Sequence, residues 1–570
     1  MKKSLVSFIT VLMTGALLTA CDDHGSTPGA DTVTPVDTPP SIPSIPSTPS
    51  PDVTKPTIVE TSPEPDATDV DRRASLRAVF SEPMQAESLD SGSYVLRRAE
   101  NVIASTLSYD AESLTASLTP DQPLSMLTQY TVELGADLAD TAGNTLGVSK
   151  IFSFVTADGA FQPTIEFAGS TLNGNDYIGG QFSNTGSGVF IWQQIAIGDH
   201  VQSIYAFNFN PATQLWTLTL LDDVDSPVTP SLAVNAGGDA VVIWRRSLAN
   251  LGEGIVARYF DASTQTWSAP AQVAPAPSGV SSPNVGLSDT GVARAVWTRN
   301  GSPQVIVSAV YEAASNTWGQ HAVISASTNN STYPFIASSD ASRAIAVWKE
   351  ESTKFAVAST FDARAWGTPV VLGSAGENRV FQPVVASDGS NAVLWTHTTS
   401  FSSFNLYATQ YDWSTGQWET AVSLASTDAF APVLSYDVDI GSGGRAIAGW
   451  VSGPDGSRHE YASFRDDTGH WSVPTALDTA APGLSAPHVA LDDAGNALFV
   501  WSEQSTSKKR LVSRRYLAGS DLWAEPFTLA DTLESDEVYV ELAPDGTGAA
   551  GWWERDSMTS FRHPTIRPFK

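Results

Sequence analysis

One thiol, eight histidines and seventeen tryptophans are the residues of this 570-residue chain from which chemistry could be built. The thiol is Cys21, and without a second cysteine the chain can form neither an internal disulfide nor a cysteine-ligated metal cluster. His200, His321, His397, His459, His470, His488 and His563 are scattered, without the spacing that lets imidazoles converge on one ion. His470 precedes a repeated tryptophan and His488 follows a repeated proline, so both fill variable slots. The carboxylate pairs Asp222-Asp223, Asp466-Asp467 and Asp492-Asp493 are adjacent, so in a strand their members point to opposite faces. The sequence holds no Gly-x-Ser-x-Gly elbow, His-Glu-x-x-His helix, Walker loop or EF-hand. The expectation is therefore no metal, no cofactor and no covalent catalysis; the catalytic residues are unknown. Tryptophan faces stack on sugars, but fifteen of the seventeen recur in two series, which predicts packing. Trp413 and Trp553 fall outside both series and are the candidate ligand contacts.

The elements that position these residues form a long internal repeat. A strand ending in tryptophan recurs at Trp192, Trp244, Trp297, Trp348, Trp395, Trp450, Trp501 and Trp552, at intervals of 47 to 55 residues. A second tryptophan follows each of the first seven by 18 to 24 residues, from Trp216 to Trp523. Between them runs a β stretch ending in an aromatic, such as Val256-Ala257-Arg258-Tyr259-Phe260. Upstream comes a proline-led strand with a tight turn, as in residues 487–501. Each unit thus reads as four strands, and radial repetition of four-stranded units makes a β-propeller. Eight tryptophan-ended strands predict eight blades, with seven as the second count. The last unit lacks its fourth strand, and residues 163–167 could supply it, closing the ring with both ends of the chain.

Residues 55–157 carry shorter alternating strands separated by turn residues at sandwich-like spacing. Ser62-Pro63, Val79-Phe80-Ser81-Glu82-Pro83-Met84, Tyr130-Thr131-Val132, Asp140-Thr141-Ala142-Gly143-Asn144 and Phe152-Ser153-Phe154-Val155-Thr156 stand in the order of a known family. This segment resembles the bacterial Ig-like domain of the S-layer (SbsA) type, and the resemblance implies a non-catalytic spacer or adhesive module. Asp140-x-x-Gly143-Asn144 reads as a turn, in which glycine and asparagine tolerate positive φ. The fold class is thus all-β: an Ig-like β-sandwich followed by a propeller over residues 160–570.

The N-terminus places the protein. Lys2 and Lys3 precede an uncharged run from Leu5 to Leu18, at roughly 14 residues too short to span a bilayer. Leu18-Thr19-Ala20-Cys21 resembles the lipobox of bacterial lipoproteins, which implies that residues 1–20 are a signal peptide and that Cys21 carries lipid. Residues 21–54 are rich in Pro, Ser and Thr. They form an extended stalk on the order of 100 Å long at about 3.1 Å per residue. Acids outnumber bases by 61 to 31, and a net charge of −30 disfavours nucleic acid. The expected location is the cell envelope: outer membrane, cell surface, or periplasmic face of the inner membrane. The leading function is a lipid-anchored binding or adhesion protein whose propeller recognises an envelope glycan or a protein partner. The competing readings are a propeller enzyme acting on polysaccharide and a scaffold for envelope assembly. Non-repeating polar residues gathered at the ring mouth would favour the enzyme.

Overall fold

The computed structural model describes residues 51–570, apart from 167–177 and a set of short connecting segments. Cys21, the signal segment and the stalk up to residue 50 lie outside the described residues. Val53–Lys570 forms one compact unit. Among the described residues no helix is long and apolar enough to cross a membrane.

The Ig-like sandwich comes first, as two four-stranded sheets. One orders Ile58–Ser62, Leu76–Phe80, Thr115–Pro120 and Ser105–Asp110; the other orders Asn101–Val102, Tyr94–Arg98, Gln129–Leu134 and Lys150–Val155. Period-two alternation drives one face of each sheet inward, so Leu76, Ala78, Phe80, Tyr94, Leu96, Tyr130, Val132 and Phe154 meet in a single core. In the turn at Asp140, the carboxylate accepts N–H bonds from Ala142 (2.8 Å) and Asn144 (2.9 Å), while Gly143 takes a φ of 91°. An aspartate turn of this kind explains the motif.

Among the described residues eight antiparallel sheets of four or five strands follow, one for each member of the first tryptophan series, which makes this a propeller of eight blades. Their inner strands begin at Ile178, Ser231, Val280, Ser331, Phe381, Val433, His488 and Ser535, and consecutive inner strands pack together around the ring, the last against the first. Blade 8 takes its outermost strand from the N-terminal side: Ile165 pairs with Ile566 and Glu166 with Thr565. Ala160 and Lys570 exchange two backbone hydrogen bonds just beyond, at 3.1 and 3.2 Å. This pairing covers the outer edge of Arg562–Phe569 and closes the ring.

All eight series tryptophans are at most 2% exposed and are wedged between blades. Trp244 shares a cluster with Ile204 of the preceding blade, and Trp297 likewise with Ile255. The second series sits on the outer hairpins, half-buried against the aromatic that ends the third strand: Phe260 opposite Trp267, Tyr311 opposite Trp318, Tyr516 opposite Trp523. In most blades that outer strand is split in two after the tryptophan; in blade 1 it runs unbroken as Leu215–Val224.

The Ig-like domain docks on the face of the ring that carries the turns between first and second strands. Arg72 reaches Asp545 of blade 8 at 2.5 Å, and Asp545 O accepts the Met126 N–H at 2.9 Å. The fully buried Met126 joins the core formed by blades 7 and 8. Arg515 of blade 7 contacts both Asp158 (3.4 Å) and Asp492 (3.2 Å).

Candidate functional site

Register within the blades identifies which residues face the ring axis. Opposite the residue just before each series tryptophan, the inner strands place Gly179, Ser231, Asn284, Phe335, Gln382, Asp437, His488 and Tyr539. One position further along stand Gly180, Leu232, Val285, Ile336, Pro383, Val438, Val489 and Val540, nearly all aliphatic. Strand alternation sends the second set into the packing between blades and leaves the first set to line the axis. The packing layer repeats itself. The axial layer has eight different residue types.

The next axial layer is small on one side of the ring, with Ala233, Gly286 and Ala337, and ionisable on the other, with Asp439 and Glu541. An axial cavity of about 310 Å³ is bounded by residues from all eight blades, among them Gln181, Asn284, Gln382, Asp437, Asp439, Tyr539 and Glu541. Its ionisable lining is therefore a lopsided arc: Asp437 and Asp439 of blade 6 and Tyr539 and Glu541 of blade 8 carry it, while blades 1 and 3 add the amides Gln181 and Asn284.

Part of that polarity is structural. Each inner strand turns one edge toward the axis, and its N–H groups need acceptors. The preceding blade supplies them: Gln181 Oε1 accepts from Val234 N (2.7 Å), Asn284 Oδ1 from Ile336 N (2.9 Å), Asp437 Oδ2 from Val489 N (3.0 Å) and Asp439 Oδ2 from Leu491 N (2.7 Å). Donor and acceptor stand 52 or 53 residues apart, one repeat, so a polar side chain in one blade satisfies the backbone of the next.

The remainder forms a linked group. Gln382 Nε2 donates to Asp437 Oδ1, and His488 Nδ1 lies 3.2 Å from Asp437 Oδ2. Tyr539 packs on His488 with ring centroids 5.0 Å apart, and its hydroxyl donates to Glu541 Oε1 at 3.0 Å. Burial pushes the Asp439 carboxyl up to about 7, against the pull of its two backbone N–H bonds and with help from Asp437. Burial also holds Glu541 well above the usual carboxylate range, reinforced by Asp439. The axial group thus sets a phenol and two carboxyls that hold protons unusually well at the cavity, with the His488 imidazole packed on the phenol and close to Asp437. Such a group can bind hydroxyl-rich or cationic ligands, and an imidazole close to a carboxylate can also move a proton.

Of the residues singled out from sequence, Cys21 lies outside the described residues. Trp413 is half-buried on the outer hairpin of blade 5. Its indole N–H donates to Gly389 O at 2.9 Å, Tyr411 meets it edge-on, and Arg343 covers it at 5.4 Å. Trp553 must be withdrawn as a ligand contact: it is 1% exposed. Alternation sends Trp552 and Trp553 to opposite faces of blade 8, as expected. In a closed ring, however, both faces are covered, Trp552 joining the core toward blade 7 and Trp553 the core toward blade 1. His488, placed in a variable slot by the sequence, belongs to the axial arc. Asp437, Asp439, Tyr539 and Glu541 carried no local motif. The available signal was their failure to repeat at a register where neighbouring positions do.

No curated protein matches the chain. Among solved structures, the chain is similar to a polysaccharide lyase described as a PL25 ulvan lyase, at 10% identity and TM-score 0.41, covering 70% of this chain and 95% of that one. It is also similar to the β-propeller domain of the Trilobed protease from Pyrococcus furiosus, at 12% identity and TM-score 0.37, covering 62% and 98%. Residues 52–156 match the family of the bacterial Ig-like domain.

Proposed function

We propose that this is a lipid-anchored cell-envelope binding protein. Cys21 carries the anchor, the Ig-like domain serves as a spacer, and the propeller takes a polar group of an envelope glycan or protein partner into its axial cavity. The observation that supports the reading is the axial layer of eight different residues set beside a packing layer that repeats. Within one chain, positions that serve only packing converge on the same residue types, whereas positions selected individually answer to something asymmetric in the cavity. The Ig-like domain occupies the first-to-second-strand turn face near blades 7 and 8, which leaves the opposite face of the ring to receive a partner.

A second reading is favoured by one observation: His488, 3.2 Å from Asp437 and packed on Tyr539, sets an imidazole beside a carboxylate and a phenol, groups able to transfer a proton, as an enzyme acting on polysaccharide would require. A glycan array with the mature chain, followed by incubation of each hit, separates the two. Saturable binding without turnover, weakened by Tyr539→Phe, supports recognition; turnover lost in His488→Ala supports the enzyme. Absence of any glycan binding, with stable protein partners recovered from envelope extracts, would overturn both in favour of a scaffold.

A further inference from the structure

The interface between blades 6 and 7 departs from the repeat at one buried residue. Opposite the position just after each series tryptophan, the third strand carries Ile204, Ile255, Ile306, Leu406 and Leu511, with Ala356 and Pro564 in two further blades. In six blades this residue joins the cluster that holds the next blade's tryptophan. Blade 6 has Glu460 there, paired with Val451.

Glu460 is fully buried, and neither of its carboxylate oxygens has a hydrogen-bond partner. Beside it, Asp478 has a side chain only 3% exposed. Asp478 Oδ1 accepts the Glu460 backbone N–H at 2.9 Å and lies 3.3 Å from His459 Nδ1, while its Oδ2 is buried without a hydrogen-bond partner. Glu503 of blade 7 adds a third carboxylate whose charge acts on Glu460. Its Oε1 accepts the Trp501 indole N–H at 3.2 Å, and its Oε2 is taken by Arg510.

Three buried carboxylate oxygens on two neighbouring side chains, unpaired among the described residues, are costly unless something neutralises them. We propose that Glu460 and Asp478 form a binding site for a hard divalent cation of the calcium class, wedged between blades 6 and 7. Glu460 supplies both carboxylate oxygens and Asp478 supplies Oδ2, with water completing the shell. An all-oxygen donor set selects calcium or magnesium over softer metals. Glu503 contributes negative charge from outside the shell. An ion here would cross-link the third strand of blade 6 to the segment after its last strand and draw on the charge of Glu503 in blade 7, at a position where six other blades use an aliphatic side chain.

The test uses the full chain stripped of metal. Terbium luminescence excited through tryptophan reports the site, because Trp501 is hydrogen-bonded to the adjacent Glu503. The expected result is a sensitised signal displaced by calcium and a calcium-dependent rise in the unfolding midpoint. In Glu460→Gln and in Asp478→Asn, calcium affinity should fall about tenfold or more while the fold is retained by circular dichroism. Glu460→Leu, which installs the residue of blades 5 and 7, keeps the test valid should the glutamine variant be unstable. Wild-type terbium and calcium responses in Glu460→Gln and Glu460→Leu would overturn the proposal, as would the absence of any calcium effect on the wild type.

Discussion

Asp439→Ala should change the sign of its effect on stability as pH rises. The Asp439 carboxyl is pushed from 3.8 to about 7 by burial in the axial cavity. Near pH 6 the folded chain therefore holds a proton that the unfolded chain has released. Stability from this group is complete below about pH 4, falls as pH rises toward 7, and is level above that. At about 1.4 kcal/mol per pH unit, the whole loss is on the order of 4 kcal/mol, an upper figure because the side chain is only partly enclosed. Alanine stands at the same register in blades 2, 4 and 7, as Ala233, Ala337 and Ala490, so the substitution fits the fold. It removes two hydrogen bonds, from Ile440 N and Leu491 N, each 2.7 Å long. At about 1 kcal/mol each, their loss costs about 2 kcal/mol. The variant should be less stable than wild type at pH 4, equal to it between about pH 5 and 6, and more stable at pH 8. Urea midpoints followed by tryptophan fluorescence from pH 4 to 8 measure this directly, since the eight series tryptophans are buried between blades. Parallel curves, or a variant less stable at every pH, would refute the argument that Asp439 is a proton-holding acid.

Other perturbations test other parts of the structure. In metal-free protein, Glu460→Leu should stabilise by about 1–3 kcal/mol, because an unsatisfied buried carboxyl is replaced by the aliphatic residue used elsewhere in the ring; urea midpoints in chelator show the direction. Arg72→Ala should loosen the docking of the Ig-like domain, since Arg72 bonds Asp545 in a half-buried pair, and limited proteolysis should then cut faster near residues 157–163 with the propeller midpoint unchanged. Ile165→Pro puts a ring that disfavours ladder pairing at the register of Ile566 and opens the edge of the last strand of blade 8, so light scattering should detect concentration-dependent association absent from the wild type.

The propeller could be read from sequence because its packing is periodic. A tryptophan that must fill the gap between neighbouring blades recurs wherever a blade does, so its spacing gives the blade count. The missing fourth strand of the last unit likewise pointed to residues 163–167, and Ile165–Glu166 fills that place. Trp553 shows where one-dimensional reading stopped. Alternation correctly separated it from Trp552, but which faces of a strand see solvent depends on whether the array closes, and blade 8 is covered on both sides. The axial arc was invisible for a different reason. Asp437, His488 and Tyr539 lie about 51 residues apart along the chain and meet only because ring closure brings inner strands of successive blades to one axis.

Departure from repetition therefore does for this chain what comparison among relatives does elsewhere. A register filled by aliphatic residues in most blades is explained by packing, and a different residue there requires a local cause. Glu460 is such a departure, and the axial register, which does not repeat in any blade, is a failure of repetition of another kind; both involve blades 6 and 7. The Ig-like domain is tied to the ring at Asp545 of blade 8 and Arg515 of blade 7. Blades 1 to 4, by contrast, present Gly179, Ser231, Asn284 and Phe335 to the axis, none of them ionisable. Chain connectivity puts the domain junction beside blade 8, where Ile165–Glu166 closes the ring, but an eightfold scaffold has no reason of its own to concentrate its axial ionisable groups in one half. The concentration is what a ligand gripped from one side of the cavity, as proposed above, would select, with Ala233, Gly286 and Ala337 leaving room opposite Asp439 and Glu541.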